Sequence, residues 1–220
     1  MNGKQLPLMR TPIPGPKSEG WIERLAKTEC PAVTARRSRR AKRLGQERDD
    51  PIVWEEAVGS NVLDADGNRY VDFTSGFGVA LVGHRNPQVV NAVRQQSDRL
   101  LHAMGDAWPD TKRIDFLAPL NAYTPGNLEV SLLGLSGSDA VDASIKSAIL
   151  KTGRTGILAF DGGYHGLSLG VLPLQGYKAA FTDPFRSVVN PHVHRLPFGG
   201  SMHTVKALLQ AQEIGLVLVE

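Results

Sequence analysis

Two short stretches of the chain carry residues that can do chemistry. The first is Leu133-Gly134-Leu135-Ser136-Gly137-Ser138-Asp139-Ala140, an apolar run that turns through small residues into a helical pattern. Small residues let a bound group approach the backbone. The free N–H groups of a first helical turn, with the helix dipole behind them, then attract an anion. Gly137 and Ser138 offer backbone donors there, and the hydroxyls of Ser136 and Ser138 can add to them. An ordinary capped helix, with Ser136 or Ser138 as N-cap, accounts for the same residues. The second stretch is Phe160-Asp161-Gly162-Gly163-Tyr164-His165-Gly166, directly after a strand pattern. Its glycines free Tyr164 and His165 to project into a cleft, where a planar ring can stack on a flat heteroaromatic group. A half-buried tyrosine in a glycine-rich loop is the plainer alternative.

Familiar phosphate and nucleophile motifs fail here. A Walker loop needs a lysine after its second glycine, and none follows. The nucleophile elbow Gly-x-Ser-x-Gly matches at Gly134 and Ser136 but ends on Ser138. A serine hydrolase acting through Ser136 therefore stands only as a rival reading. No dinucleotide fingerprint is present, so what remains is a single phosphate on a helix N-terminus. His192-x-His194 puts two imidazoles on one side of an extended segment, but no third ligand lies at metal-site spacing and no metal is expected.

These stretches need a scaffold. The 220 residues are 41% hydrophobic and 21% charged, an ordinary globular balance. Cys30 is the only cysteine, so no internal disulfide can form and a reducing compartment fits. The proline-broken start shows no signal peptide, and no run approaches the roughly 18 apolar residues of a membrane span. A cytoplasmic protein without membrane contact is the expectation. The cluster Arg36, Arg37, Arg39, Arg40, Lys42 and Arg43 lacks interleaved aromatic residues, so an exposed helical face is expected there rather than nucleic-acid binding.

Residues 1–18 read as an extended tail, with Pro12, Pro14 and Pro16 opposing helix. A basic helix or helix pair follows from about Ser18 to Leu44. Ile52-Val53-Trp54 opens a β region in which Asp66-Gly67 turns Asn61–Leu63 back onto Arg69–Phe73. Helices are expected from Asn86-Pro87 and from Asp110. β/α alternation then sets in. Strand Leu128–Leu135 leads into helix Asp139–Lys151, and strand Gly156–Phe160 into a long irregular stretch to Gly200. A helix at about His203–Gln212 and a buried strand Gly215–Glu220 complete the pattern. Such alternation implies an α/β fold with a mainly parallel sheet and its ligand at the strands' carboxyl ends. The expected divisions are residues 1–18, 19–103 and 104–220. The last of these is read as a truncated sheet, because it ends on an apolar strand.

In order and spacing, Ser-Gly-Ser-Asp-Ala-Val-Asp-Ala, Gly-Gly-Tyr-His-Gly and Leu-Val-Leu-Val-Glu resemble the class III aminotransferases, the ornithine/4-aminobutyrate type. So do Leu63 to Phe73, Gly83-His84-Arg85-Asn86-Pro87 and Pro14 to Ser18. The resemblance runs from about residue 12 to the end. It implies the N-terminal half of a fold-type-I enzyme dependent on pyridoxal 5'-phosphate. By the same resemblance, Gly137 and Ser138 bind the cofactor phosphate and Tyr164, or His165, stacks on its ring. Phe77 and Glu220 then belong to the substrate pocket. The implied reaction moves an amino group from an amino acid or ω-amine to a 2-oxo acid, in a homodimer. The family's Schiff-base lysine has no counterpart here, since Lys146, Lys151, Lys178 and Lys206 lie in other contexts. The 220 residues alone are therefore expected to be inactive. Leu167 stands where some relatives carry an arginine for a substrate carboxylate. A racemase or aminomutase on the same scaffold, or a remnant without catalysis, are the alternatives.

Overall fold

The computed structural model describes residues 1–43, 45, 52–105, 107–211 and 214–220. They form two compact units, Met1–Trp108 and Pro109–Glu220.

The first unit holds helices α1 (Pro16–Thr28) and α2 (Pro31–Arg43), the antiparallel strands β1 (Trp54–Val58), β2 (Asn61–Asp64) and β3 (Arg69–Val71), and helix α3 (Pro87–Ser97). The Asp66-Gly67 hairpin forms as expected, pairing Val62 with Tyr70 and Leu63 with Arg69. A second hairpin joins β1 to β2. The anticipated helix end at Leu44 lies outside the described residues.

The residues before α1 are held rather than loose. Asn61 Oδ1 accepts the Gln5 N–H at 2.8 Å, and Asn68 Oδ1 accepts those of Arg10 and Thr11 at 2.6 and 2.9 Å. Both asparagines are buried, so these bonds satisfy groups that water cannot reach. Helix α1 begins at Pro16, inside the expected tail, and its N-cap Gly15 has no side chain to cap it. Asp66 does that from the hairpin, accepting the Lys17 and Ser18 N–H groups at 2.7 and 2.9 Å. A Cβ on Gly15 would lie 2.4 Å from Asp66 Cγ, so only glycine admits this approach. Asp64 ties the turn together, accepting from Asn68 N, Asn68 Nδ2 and Tyr70 OH.

The second unit contains helices α4 (Thr111–Tyr123), α5 (Gly137–Thr152), the short α6 (Ala179–Thr182) and α7 (Met202–Ala211), with strands β4 (Gly156–Phe160), β5 (Val193–Leu196) and β6 (Ile214–Val217). Asp110 caps α4 by accepting the Arg113 N–H at 2.8 Å. The three strands are parallel in the order β5-β4-β6. The central strand supplies the core, where Ile157, Ala159, Val171 and Leu174 pack with Val141, Ile145 and Leu216. Because β4 comes first in sequence and sits in the middle, the chain leaves it to one side and later returns on the other. That reversal marks a topological switch point between β4 and β6.

Three expectations are corrected. Leu128–Leu135 joins no ladder among the described residues, and Val130 and Leu135 are 92% and 101% exposed. Its apolar composition favours a strand, but a strand also needs a partner's backbone groups, and none is supplied. The stretch before Gly200 is not irregular throughout, since it contains β5, with His194 in register opposite Leu158. Strand β6 is only partly buried, with Ile214 buried, Gly215 and Leu216 half-buried and Val217 exposed, and among the described residues it pairs with β4 alone. The anticipated end of α7 at Gln212 lies outside the described residues.

Candidate functional site

The start of α5 is built by its own side chains. Ser136 is the N-cap, in extended backbone, and its Oγ accepts the Asp139 N–H at 3.2 Å. Asp139 Oδ2 reaches back past the N-cap to accept the Leu135 N–H at 2.9 Å, which ties the entering chain to the first turn. The N–H groups of Gly137 and Ser138 have no hydrogen-bond partner among the described residues. Space is open where a Cβ on Gly137 would lie. Two aligned donors on an open helix end suit an oxyanion. The Asp139 carboxylate competes for the same positive helix end, but it is engaged with Leu135 and leaves both donors free.

The loop after β4 is fastened at both ends. Glu220, which follows β6, accepts the Tyr164 N–H through Oε2 at 2.6 Å, and the same oxygen lies 3.4 Å from His165 Nδ1. The fastening therefore spans the carboxyl ends of β4 and β6, at the switch point. At the loop's other end Gly166, at φ +118°, passes so close to α5 that a Cβ would lie 2.6 Å from Ser138 Oγ. Glycine is required there twice over, by its φ and by the approach. Ser168 then donates its N–H to Ser138 Oγ at 3.1 Å and its hydroxyl to Asp142 Oδ2 at 2.6 Å.

The two candidate rings are placed differently. The His165 side chain is 6% exposed and is held beside Glu220. Tyr164 is 48% exposed, with its ring edge-on to Tyr177 at 6.4 Å. The Lys178 ammonium sits 4.7 Å over the Tyr177 ring. Tyr164 is thus the more exposed of the two rings, and Gly166, which approaches Ser138, is two positions further along, at most about 7 Å of chain. A phosphate on α5 and a small aromatic ring near Tyr164 can belong to one ligand. The donor set and the glycine-lined approach fit a monophosphate ester carrying a planar ring.

Phe77 belongs to the first unit. It sits at φ +63° and is 96% exposed, in a loop where Ser75, Gly76 and Gly78 also have positive φ. Asp72 anchors that loop, accepting from Thr74 N, Thr74 Oγ1 and Gly76 N, with His84 Nε2 2.7 Å from its Oδ2. The His84 contact, followed by the Thr74 hydroxyl bond, lowers the Asp72 pKa to about 2. Strained backbone of this kind persists where the surroundings over-determine it.

An apolar hollow of about 470 Å³ lies among Phe160, Leu196, Phe198, Met202, Val217 and Val219. Its lining carries no titratable group, so it has no acid–base chemistry to offer. The sequence reading missed Ser168, Asp142 and Tyr177. Asp142 had a detectable signal, since it follows Ser138 by four residues and shares its helix face.

The family model described as Aminotransferase class-III matches residues 44–216. The chain is 36% identical over 149 residues to the 2-aminoadipate transaminase of Pseudomonas putida, covering 67% of this chain and 36% of that protein. It is 30% identical over 185 residues to the alanine/serine racemase of Pyrococcus horikoshii, covering 84% of this chain and 36% of the relative. The solved structure of a thermostable (S)-enantioselective omega-transaminase from Thermomicrobium roseum superposes with a TM-score of 0.69 at 22% identity, over 76% of this chain and 43% of that one. The chain thus spans 36% of the length of these two curated relatives.

Proposed function

Because the chain belongs to the class III aminotransferase family, we propose that it carries the phosphate-binding and ring-stacking part of a pyridoxal-phosphate site serving amino-group transfer. The donor is an amino acid or ω-amine and the acceptor a 2-oxo acid. Class III aminotransferases depend on pyridoxal phosphate, which when bound supplies an electron sink for the substrate's carbon. In the proposed site the N–H groups of Gly137 and Ser138 hold the phosphate, with a hydroxyl at the same turn. Tyr164 stacks on the ring and excludes water from one side. His165 and Glu220 fix the loop that presents Tyr164. Phe77 is proposed to line the substrate pocket.

One observation carries this reading. The Tyr164 loop joins the switch point to the open N-terminus of α5 through Glu220 at one end and Ser138 at the other. The working form is proposed to be a cytoplasmic homodimer. Among the described residues no helix is long and apolar enough to cross a membrane.

The similarity to a racemase over 84% of the chain supports a second reading on the same cofactor. In that case an amino acid inverts at its α-carbon and no 2-oxo acid is consumed.

Titration of the chain with pyridoxal 5'-phosphate and with pyridoxal tests the cofactor assignment. Saturable binding of the phosphate ester, with pyridoxal much weaker, is expected. Equal binding of the two removes the phosphate site from the account. Amino-group exchange against inversion of an amino acid, measured on the complete protein, separates the two reactions.

A further inference from the structure

Counting protons along one hydrogen-bond chain divides the labour between the two serines of the turn. A carboxylate oxygen only accepts, so the 2.6 Å contact between Ser168 and Asp142 Oδ2 uses the single Ser168 hydroxyl proton. The 2.7 Å contact between the Ser138 and Ser168 hydroxyls must then use the proton of Ser138. Ser138 Oγ also accepts the Ser168 N–H at 3.1 Å. Its donor capacity is therefore committed to the loop. Ser136 differs, because its Oγ accepts from Asp139 N and its proton has no partner among the described residues.

We infer that the Ser138 side chain is a latch and not a ligand. Through Ser168 and Asp142 it seats the Tyr164 loop on α5, while Ser136 supplies the hydroxyl donor to the phosphate. Ser168 and Asp142 are then positioning residues for the cofactor site. The packing agrees, because a Cβ on Gly170 would lie 2.1 Å from Asp142 Oδ1, and one on Gly166 would meet Ser138. The segment from Gly166 to Gly170 thus rests on the helix face that carries Ser138 and Asp142. The ligand half of this inference rests on the proposed cofactor site. The latch half does not, and it is read on the ligand-free chain.

The test combines amide hydrogen exchange of the ligand-free chain with binding of inorganic phosphate and pyridoxal 5'-phosphate. Ser138→Ala, Ser168→Ala and Asp142→Ala are expected to speed exchange at residues 164–168 about 2- to 10-fold, as loss of one hydrogen bond implies. Exchange at Ile157 and Leu158 should stay unchanged, showing that the core is intact. Ser168→Thr and Asp142→Asn, which keep a hydroxyl and an acceptor, should match the wild type. Phosphate affinity should fall about 10-fold or more in Ser136→Ala, the scale of a hydrogen bond to a charged group, and several-fold less than that in Ser138→Ala, which keeps the N–H that holds the phosphate. Unchanged loop exchange in the three alanine variants overturns the latch. Equal loss of phosphate affinity in Ser136→Ala and Ser138→Ala overturns the division between the serines. A wild-type chain that binds neither ligand overturns the cofactor reading and the ligand half with it, and the exchange data still decide the latch.

Discussion

Glu220 Oε2 accepts the backbone N–H of Tyr164 at 2.6 Å and lies 3.4 Å from Nδ1 of His165, so one carboxylate oxygen fixes two successive residues of the loop after β4. The carboxylate acts from just past the adjacent strand β6, across the switch point. These contacts hold the ring-bearing loop beside the end of β6.

Glu220→Ala is accordingly expected to release the loop. Exchange at the Tyr164 and His165 amides should rise, and pyridoxal-phosphate affinity should fall several-fold. Glu220→Gln keeps an oxygen for the Tyr164 N–H and should lose less. Native-state hydrogen exchange with a ligand titration measures both. Identical behaviour of the two variants would show that the accepted N–H is not what matters.

Tyr164 is expected to act through its ring face. Tyr164→Phe should bind pyridoxal phosphate as the wild type does. Tyr164→Ala should lose about 1 kcal/mol, near fivefold in Kd, the usual scale of an aromatic pair. Fluorescence titration checks the pair of variants. A loss in Tyr164→Phe equal to that in Tyr164→Ala would shift the role to the hydroxyl.

Gly166→Ala places a methyl 2.6 Å from Ser138 Oγ at φ +118°. The loop must lift from α5, so cofactor affinity should drop while the β4 core persists. Near-UV circular dichroism reports the loop tyrosines and exchange at Leu158 reports the core. A wild-type near-UV spectrum with full affinity would contradict the close approach.

Asp72 gives the first unit a pH signature. Its pKa is lowered to about 2, chiefly by the His84 contact. A carboxyl depressed on folding adds stability that is complete above its unfolded value, about 3.9, and that is lost as pH falls toward the folded one. The wild type should therefore exceed Asp72→Asn in urea midpoint at neutral pH, and the gap should close as pH falls from about 4 to about 2. A gap independent of pH would assign the effect to shape and not to charge.

The sequence made the motif-bearing turns legible for local reasons. Asp66-Gly67 and Asn86-Pro87 have short-range chemistry that fixes backbone direction, and Asp110 and Ser136 cap the helices that follow them. The central strand, Gly156–Phe160, stands out as an apolar run between a glycine stop and a glycine-rich loop. Non-local pairing was not legible. Leu128–Leu135 is more apolar than Val193–Leu196, yet it has no ladder partner among the described residues, whereas Val193–Leu196 pairs with β4. The same holds within the site. Ser136 to Ser138 and Tyr164 to Gly166 could be named from their neighbours in sequence. Ser168 and Tyr177 gain their roles only when the chain folds back on α5 and on Tyr164.

Main-chain donors at the start of α5 are proposed to hold a phosphate, and Gly137 is the position where one of them can be removed alone. Gly137 is the first residue of the helix, where proline is well tolerated, and Ser136 before it is already extended, at φ −157° and ψ 165°. Gly137→Pro therefore deletes the N–H with little disturbance of the helix, while Gly137→Ala keeps it and adds a methyl in open space. The measurement is the dissociation constant for pyridoxal 5'-phosphate in the wild type and both variants. Gly137→Ala should stay within about twofold, and Gly137→Pro should weaken binding about 10-fold or more, the scale of a hydrogen bond to a charged group. Wild-type affinity in Gly137→Pro would contradict the claim.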